Sequence, residues 1–151
     1  MLLSAGDKKT MDRKKILVVD DNAVILKTLS FKLTSCGYDV ITAQEGSEAV
    51  SSARRERPDL IILDISFPPD VAHGGGVAWD GFRIIEWLRR MDEAKDIPVI
   101  IITGGEASKY KERSLAAGAV AFFQKPINND DLVAAIRKAL NESDEGPAAA
   151  A

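Results

Sequence analysis

LIILD, at residues 60–64, is a run of four apolar residues that ends on a carboxylate. The same kind of ending occurs at three further places: residues 16–19 before Asp20 and Asp21, residues 99–102 before Thr103, and residues 122–124 before Lys125. In an open parallel α/β sheet the carboxyl ends of neighbouring strands lie side by side. We therefore expect these polar residues to converge in one crevice.

Hydrophobic runs of strand length alternate along the chain with stretches of helical period, which is typical of βα units around a parallel sheet. The runs predict strands at about 15–20, 38–43, 60–64, 98–103 and 119–124. Helices are predicted at about 23–35, 47–56, 81–91, 106–117 and 130–140. Asn22 is a good N-cap for the first helix, and Gly37 is suited to end it.

The apolar content of the strands predicts their order in the sheet. Strands one, three and four are continuous apolar runs, whereas strands two and five carry more polar positions and are therefore the predicted edges. With right-handed crossovers the order is 2-1-3-4-5. The predicted fold class is thus α/β, a flavodoxin-like (βα)5 three-layer sandwich whose crevice lies at the ends of strands one and three.

The fourth helix differs from the others in its apolar stripe. Ala107, Tyr110, Leu115 and Ala116 form a thin, interrupted stripe among charged and polar residues. We expect this helix to be held loosely against the sheet.

Bulk composition limits the class of protein. The chain has 151 residues, enough for one domain, and its 20 basic and 23 acidic residues give a net charge of -3. No stretch gathers enough positive charge for direct nucleic-acid binding, and no apolar run is long enough to cross a membrane. Cys36 is the single cysteine, and no export segment is recognisable, so we expect a cytoplasmic protein.

Both ends of the chain lack a regular pattern. Residues 1–13 have no period and are predicted to be disordered, and residues 142–151 read as a disordered tail or the start of a linker. The domain is predicted to span residues 14–141.

Three carboxylates at one crevice repel each other, and a divalent cation relieves that repulsion most simply. Mg²⁺ prefers oxygen ligands and often completes its shell with a phosphate oxygen. Lys125 and Thr103 can donate to phosphate oxygens, and Asp64 is best placed to attack phosphorus. Taken singly, each residue also suits a helix cap, a turn or a loop entry, but their conjunction favours a phosphate-and-metal site.

With these residues the chain resembles the receiver domain of bacterial two-component response regulators, over about residues 14–141. The resemblance implies that Asp64 is the phosphoacceptor. It implies a Mg²⁺ site, with Mn²⁺ as a possible substitute, formed by Asp20, Asp21, Asp64 and the backbone carbonyl of Ser66. Further residues would have the following roles: Lys125 as the phosphoryl-stabilising lysine, Thr103 as the switch hydroxyl, Phe122 as the aromatic switch residue, and Lys125-Pro126 as a cis peptide.

The same resemblance implies a signalling switch more than an enzyme. A sensor histidine kinase or phosphotransfer protein would supply the phosphoryl group, and the surface of helix four, strand five and helix five would change to control a downstream protein or effector domain. Slow self-dephosphorylation would reset the switch. The chain would be a monomer or a phosphorylation-dependent dimer.

One segment departs from the family pattern. The family usually shows D-x-x-M-P-x-x-D-G, but here the loop between Asp64 and Asp80 is longer by nine residues, and Phe67 stands in place of the usual methionine. This Gly-rich segment either modifies access to Asp64 or is a tolerated surface insertion. His73 within it is expected to be simply exposed.

Three alternatives stay open at this point. A phosphatase of the haloacid-dehalogenase kind lacks its D-x-D motif here, and a flavodoxin is disfavoured because Asp20 and Asp21 would repel a flavin phosphate. The third is a receiver-like module that signals by binding alone.

Overall fold

The sheet has five parallel strands in the order β2-β1-β3-β4-β5, as predicted. This computed structural model describes residues 13–65, 81–104 and 107–141. The strands are β1 (Lys15–Val19), β2 (Asp39–Ala43), β3 (Leu60–Asp64), β4 (Val99–Thr103) and β5 (Ala121–Gln124). The helices are α1 (Ala23–Ser35), α2 (Gly46–Glu56), α3 (Gly81–Arg90), α4 (Ala107–Ala116) and α5 (Asn129–Ala139).

The register of the sheet aligns the strand ends that carry the predicted site. Val19 of β1 pairs with Leu63 of β3, so the residues that follow each are neighbours. On the other side of β3, Asp64 pairs with Ile102, one residue before Thr103. Parallel pairing thus brings residues that are far apart in sequence to one edge of the sheet.

Two hydrophobic clusters cover the two faces of the sheet. On one face, alternate residues such as Leu17, Ile61 and Ile101 pack with α2, α3 and α4. On the other face, their neighbours such as Ile16 and Ile62 pack with α1 and α5. Helices on both faces explain why the central strands are continuous apolar runs, and why the predicted edge strands are more polar.

Local signals at the helix ends agree with the sequence. Asn22 accepts hydrogen bonds through Oδ1 from the backbone N–H groups of Val24 (2.9 Å) and Ile25 (3.3 Å), which caps α1. Gly37 has φ of 98°, the left-handed conformation that follows many helix C-termini. Asn128, which the sequence analysis did not single out, caps α5 by accepting from the N–H of Asp131 at 3.0 Å.

The predicted apolar stripe of α4 was partly wrong. Leu115 is 48 % exposed and Ala116 is exposed too, while Ser114 is fully buried. The spacing of Tyr110, Ser114 and Ala117 places these three on the face toward the sheet, and Leu115 lies about 100° further round the helix. Ser114 is tolerated there because its Oγ donates to the carbonyl of Tyr110 at 2.7 Å.

Some predictions fall outside the described residues. These are the disorder expected for residues 1–12 and 142–151, the extended loop 67–79 with Phe67 and His73, and Ser66. Across the three described ranges, no helix is long and apolar enough to cross a membrane.

Candidate functional site

Three strand ends meet at the carboxyl edge of the sheet. Asp20 follows β1 and donates its backbone N–H to the carbonyl of Ala43 at 3.1 Å, which extends the pairing of β1 with β2 by one residue. Asp64 is the last residue of β3 and Thr103 the last of β4. All three are buried, with exposures of 0 %, 1 % and 0 %, whereas Asp21 is exposed. The edge therefore has a buried polar interior and one carboxylate facing solvent.

The three predicted carboxylates lie together. Asp20, Asp21 and Asp64 each contribute one carboxylate oxygen to a group in which all these oxygens lie within 4.8 Å of one another. We call these residues the acid group. Such a spacing of oxygens is suited to binding one cation.

Lys125 is the positive charge of the site. Its Nζ lies 2.9 Å from Oδ2 of Asp64 and 2.9 Å from Oδ2 of Asp20. Both contacts are ion pairs, and the contact with Asp64 is in addition a well-aligned hydrogen bond. The backbone N–H of Lys125 donates to the carbonyl of Thr103 at 2.8 Å, and the Lys125-Pro126 peptide is cis as predicted. The lysine thus bridges two carboxylates that would otherwise repel each other.

Asn22, at the start of α1, makes a hydrogen bond with Asp20 of the acid group. Its backbone N–H donates to Oδ1 of Asp20 at 2.9 Å, while its side chain caps α1. The sequence analysis predicted the cap but missed the contact with Asp20. The only signal was the two-residue spacing typical of an Asx turn, in which an aspartate accepts from the N–H two positions later.

Burial sets the electrostatics of the site. It raises the pKa of Asp20 from 3.8 to about 6, against the opposing effects of the Asn22 N–H and Lys125. For Lys125, burial alone acts to lower the pKa, but the hydrogen bonds and charges of Asp20 and Asp64 more than offset it, so the pKa is raised. Lys125 therefore stays charged at neutral pH.

The side chains present fit a divalent cation. Oδ2 of Asp20 is buried, and the ammonium of Lys125, 2.9 Å away, is shared between this oxygen and Oδ2 of Asp64. Two buried carboxylates thus share one ammonium, and buried negative charge in excess is costly unless a further cation balances it. Hard carboxylate oxygens are the ligands that Mg²⁺ prefers. The acid group could supply these ligands, and the carbonyl predicted from Ser66 lies beyond the described residues.

Phe122 and Thr103 lie on adjacent strands near the same edge. Phe122 is half-buried in β5 and packs against the cluster under α2, α3 and α4. Thr103 pairs with Gln124, two residues further along β5. Their switch roles stay predictions, as do the roles of the acid group and Lys125.

Comparisons with known proteins agree with this geometry. Residues 16–137 match the family model of the response regulator receiver domain. The probable transcriptional regulator ycf27 of Porphyridium aerugineum is 35% identical over 135 residues, which cover 89% of this chain and 51% of that protein. The polar-differentiation response regulator DivK of Brucella anthropi is 32% identical over 130 residues, 86% of this chain and 98% of DivK. The chain thus spans about half the length of ycf27 and nearly all of DivK.

Solved structures give the same result. A CheY-like response regulator receiver domain protein from Methanospirillum hungatei has a TM-score of 0.74 at 29% identity, covering 86% of this chain and 95% of that one. The receiver domain of the sensor histidine kinase PA1611 from Pseudomonas aeruginosa has a TM-score of 0.73 at 27% identity, covering 86% and 99%. That structure has a magnesium ion coordinated in its active-site cleft.

Proposed function

Because this chain belongs to the response regulator receiver domain family, we propose that it is a phosphorylation-activated switch with Asp64 as phosphoacceptor. The donor is a histidine kinase or a phosphotransfer protein, and Mg²⁺ is the cofactor, with Mn²⁺ as a substitute. The observation that supports this most directly is the bridge from Lys125 to Asp64 and Asp20, beside the acid group.

Asp64 is suited to the transfer because it is buried at a strand end and hydrogen-bonded to a lysine. Its carboxylate oxygen attacks phosphorus in line, the bond from phosphorus to the donor's imidazole nitrogen breaks, and an acyl phosphate forms. Lys125 then moves its ammonium from the carboxylate toward a phosphoryl oxygen. The acid group would hold Mg²⁺, with the Ser66 carbonyl as a further predicted ligand, and the ion would neutralise part of the phosphoryl charge.

Transmission of the signal starts from the contact between β4 and β5. The backbone N–H of Lys125 donates a hydrogen bond to the backbone carbonyl of Thr103, so a movement of one residue is passed to the other. Thr103 moves toward the phosphoryl group, Phe122 turns into the space it leaves, and the surface of α4, β5 and α5 changes.

The altered surface controls a partner protein or an effector domain, and the chain acts as a monomer or a phosphorylation-dependent dimer. No direct contact with nucleic acid is proposed for this chain. Since a histidine kinase is the donor, the proposed location is the cytoplasm. Water slowly hydrolyses the acyl phosphate, which resets the switch without making the chain an enzyme for other substrates.

The test is incubation with Mg²⁺ and radiolabelled acetyl phosphate. We expect the protein to retain label in an alkali-labile bond, and Asp64→Asn to lose it. Asp92→Asn is the matched control, because the Asp92 side chain is 95% exposed and far from the acid group in sequence, and it should label normally. Equal labelling of Asp64→Asn would contradict the proposal. Fast turnover of unrelated phosphate esters would favour a phosphatase instead.

A further inference from the structure

A groove of about 360 Å³ lies between α3 and α4, and none of its lining residues belongs to the acid group. Phe82, Ile85 and Ala117 form its apolar lining. The ring of Phe82 also lies 6.4 Å from that of Tyr110, centroid to centroid, which joins the two helices at this point. The groove is open at the surface and large enough for one or two side chains of a ligand.

The charged lining of the groove is unbalanced. Among its described lining residues, Arg89 and Arg90 come from the end of α3 and Arg113 from α4, and Glu86 is the one acid. Among the ion pairs of the described ranges, none includes any of the three arginines. This groove therefore concentrates positive charge on a chain whose net charge is -3.

Two of the arginines are already fixed in place. Nη1 of Arg89 donates to the carbonyls of Lys95 at 3.0 Å and Ile97 at 2.9 Å. The guanidinium of Arg113 lies 3.9 Å from the centroid of the Phe82 ring, a contact that uses none of its five N–H donors. Because these side chains are ordered before binding, less entropy is lost when they bind an anion.

We propose that this groove binds an acidic peptide segment of a partner protein, with carboxylates at the arginines and an apolar side chain against Phe82, Ile85 and Ala117. A small inorganic anion would pair with the arginines but would not contact the apolar part of the groove. A peptide with acidic residues on both sides of an apolar one covers both parts of the groove.

The experiment is an NMR titration of the ¹⁵N-labelled full chain with the blocked hexapeptide Asp-Glu-Leu-Phe-Asp-Glu. We expect saturable shifts of amides in α3 and α4 around the groove. The neutral analogue, with Asn and Gln in place of the acids, should bind at least about tenfold more weakly, because three or more charge pairs are lost.

Two charge-reversal variants distinguish peptide binding in the groove from a general effect of the chain's charge. Arg90→Glu should lower the affinity for the acidic peptide by about fivefold to tenfold. Lys111→Glu is the matched control: Lys111 is exposed on α4, two positions before Arg113 and so on another side of the helix, and it should leave binding unchanged. Thermal melting checks that both variants fold.

Several outcomes would overturn the proposal. One is equal affinity for the acidic and the neutral peptide, and another is an equal loss of affinity in Arg90→Glu and Lys111→Glu. A third is the same amide shifts with inorganic phosphate alone, which would indicate a small-anion site. Shifts that depend on protein concentration without peptide would indicate a second copy of the chain as the occupant. Asp64→Asn should bind the peptide normally, so this proposal and the phosphorylation proposal can fail independently.

Discussion

The middle of the sheet and its carboxyl edge are built from the same strands but hold opposite kinds of residue. In the middle, Ile62 and Ile101 are fully buried among other apolar side chains. A few residues further along these strands, Asp64 and Thr103 are buried just as completely. In the middle, burial of apolar side chains stabilises the fold. At the edge the buried groups include carboxylates, which lower stability unless a metal ion or Lys125 balances their charge. The candidate site thus lies where the strands stop contributing to stability.

The largest expected effect tests the middle. Ile62→Ala should lower the free energy of unfolding by about 2–5 kcal/mol, because it leaves a cavity under α1 and α5. Urea denaturation measures the change. Val120→Ala is the control, since Val120 is 52% exposed, and it should change stability by less than about 0.5 kcal/mol. Similar losses for both variants would show that the middle is not the source of stability.

The next effect tests the bridge at the edge. Lys125→Met should destabilise the metal-free protein at pH 7.5 by roughly 2–3 kcal/mol, less than for a fully buried pair because the lysine side chain is 21% exposed. At pH 5 the loss should be smaller, because Asp20 can then take up a proton. Lys27→Met, at an exposed position of α1, is the control. An equal loss at both pH values would argue against charge balance as the lysine's role.

A smaller effect of opposite sign tests the cost of the buried acid. The folded pKa of Asp20 is about 6, above its usual 3.8, so the contribution of Asp20 to the free energy of unfolding falls as pH rises from about 4 to 6. Asp20→Asn should therefore stabilise the metal-free protein by roughly 1–2 kcal/mol above pH 6, after allowing for the lost ion pair with Lys125. The gain should shrink toward zero near pH 4.

Urea titrations at several pH values measure this gain, with Asp92→Asn as the exposed control. A gain for Asp20→Asn that does not depend on pH would contradict the link to titration of Asp20. If Mg²⁺ binds the acid group as proposed, this variant should also lose most of the stabilisation that added Mg²⁺ gives.

The smallest effect concerns the contact between the edge and α1. Asn22→Ala removes the side-chain cap and should cost about 1 kcal/mol, but it keeps the backbone N–H that holds Asp20. Mg²⁺ affinity should therefore change little while stability falls. A large loss of Mg²⁺ affinity, measured by titration calorimetry, would show that the side chain matters to the acid group.

The fold could be predicted from the sequence because its signals are local and redundant. Continuous apolar runs marked the central strands, and the polar positions of β2 and β5 marked the edges, which together with the handedness rule gave the strand order. The convergence of Asp20, Asp21, Asp64 and Lys125 followed from parallel pairing alone. The inward face of α4 was misjudged because a buried serine satisfied by its own helix looks polar in sequence.

Other features had no usable signal. The pairing of Lys125 with Asp20, in addition to Asp64, depends on side-chain geometry across β1, β3 and the segment after β5. The α3–α4 groove also depends on tertiary packing, because Arg113 comes from a different helix than Arg89 and Arg90. The buried face of α1, by contrast, follows directly from the helical spacing of Leu26, Leu29 and Leu33.

Asn22 connects the acid group to the first turn of α1, so this turn should respond to changes at the acid group. The same residue donates its N–H to Asp20 and accepts from Val24 and Ile25. If a cation draws Oδ2 of Asp20 toward itself, the carboxylate rotates and Oδ1 moves with it. The hydrogen bond from the Asn22 N–H to Oδ1 then changes, and so does the position of the residue that caps α1. The exchange of the Val24 and Ile25 amides with deuterated water should then change with ion occupancy, although neither residue contacts the ion.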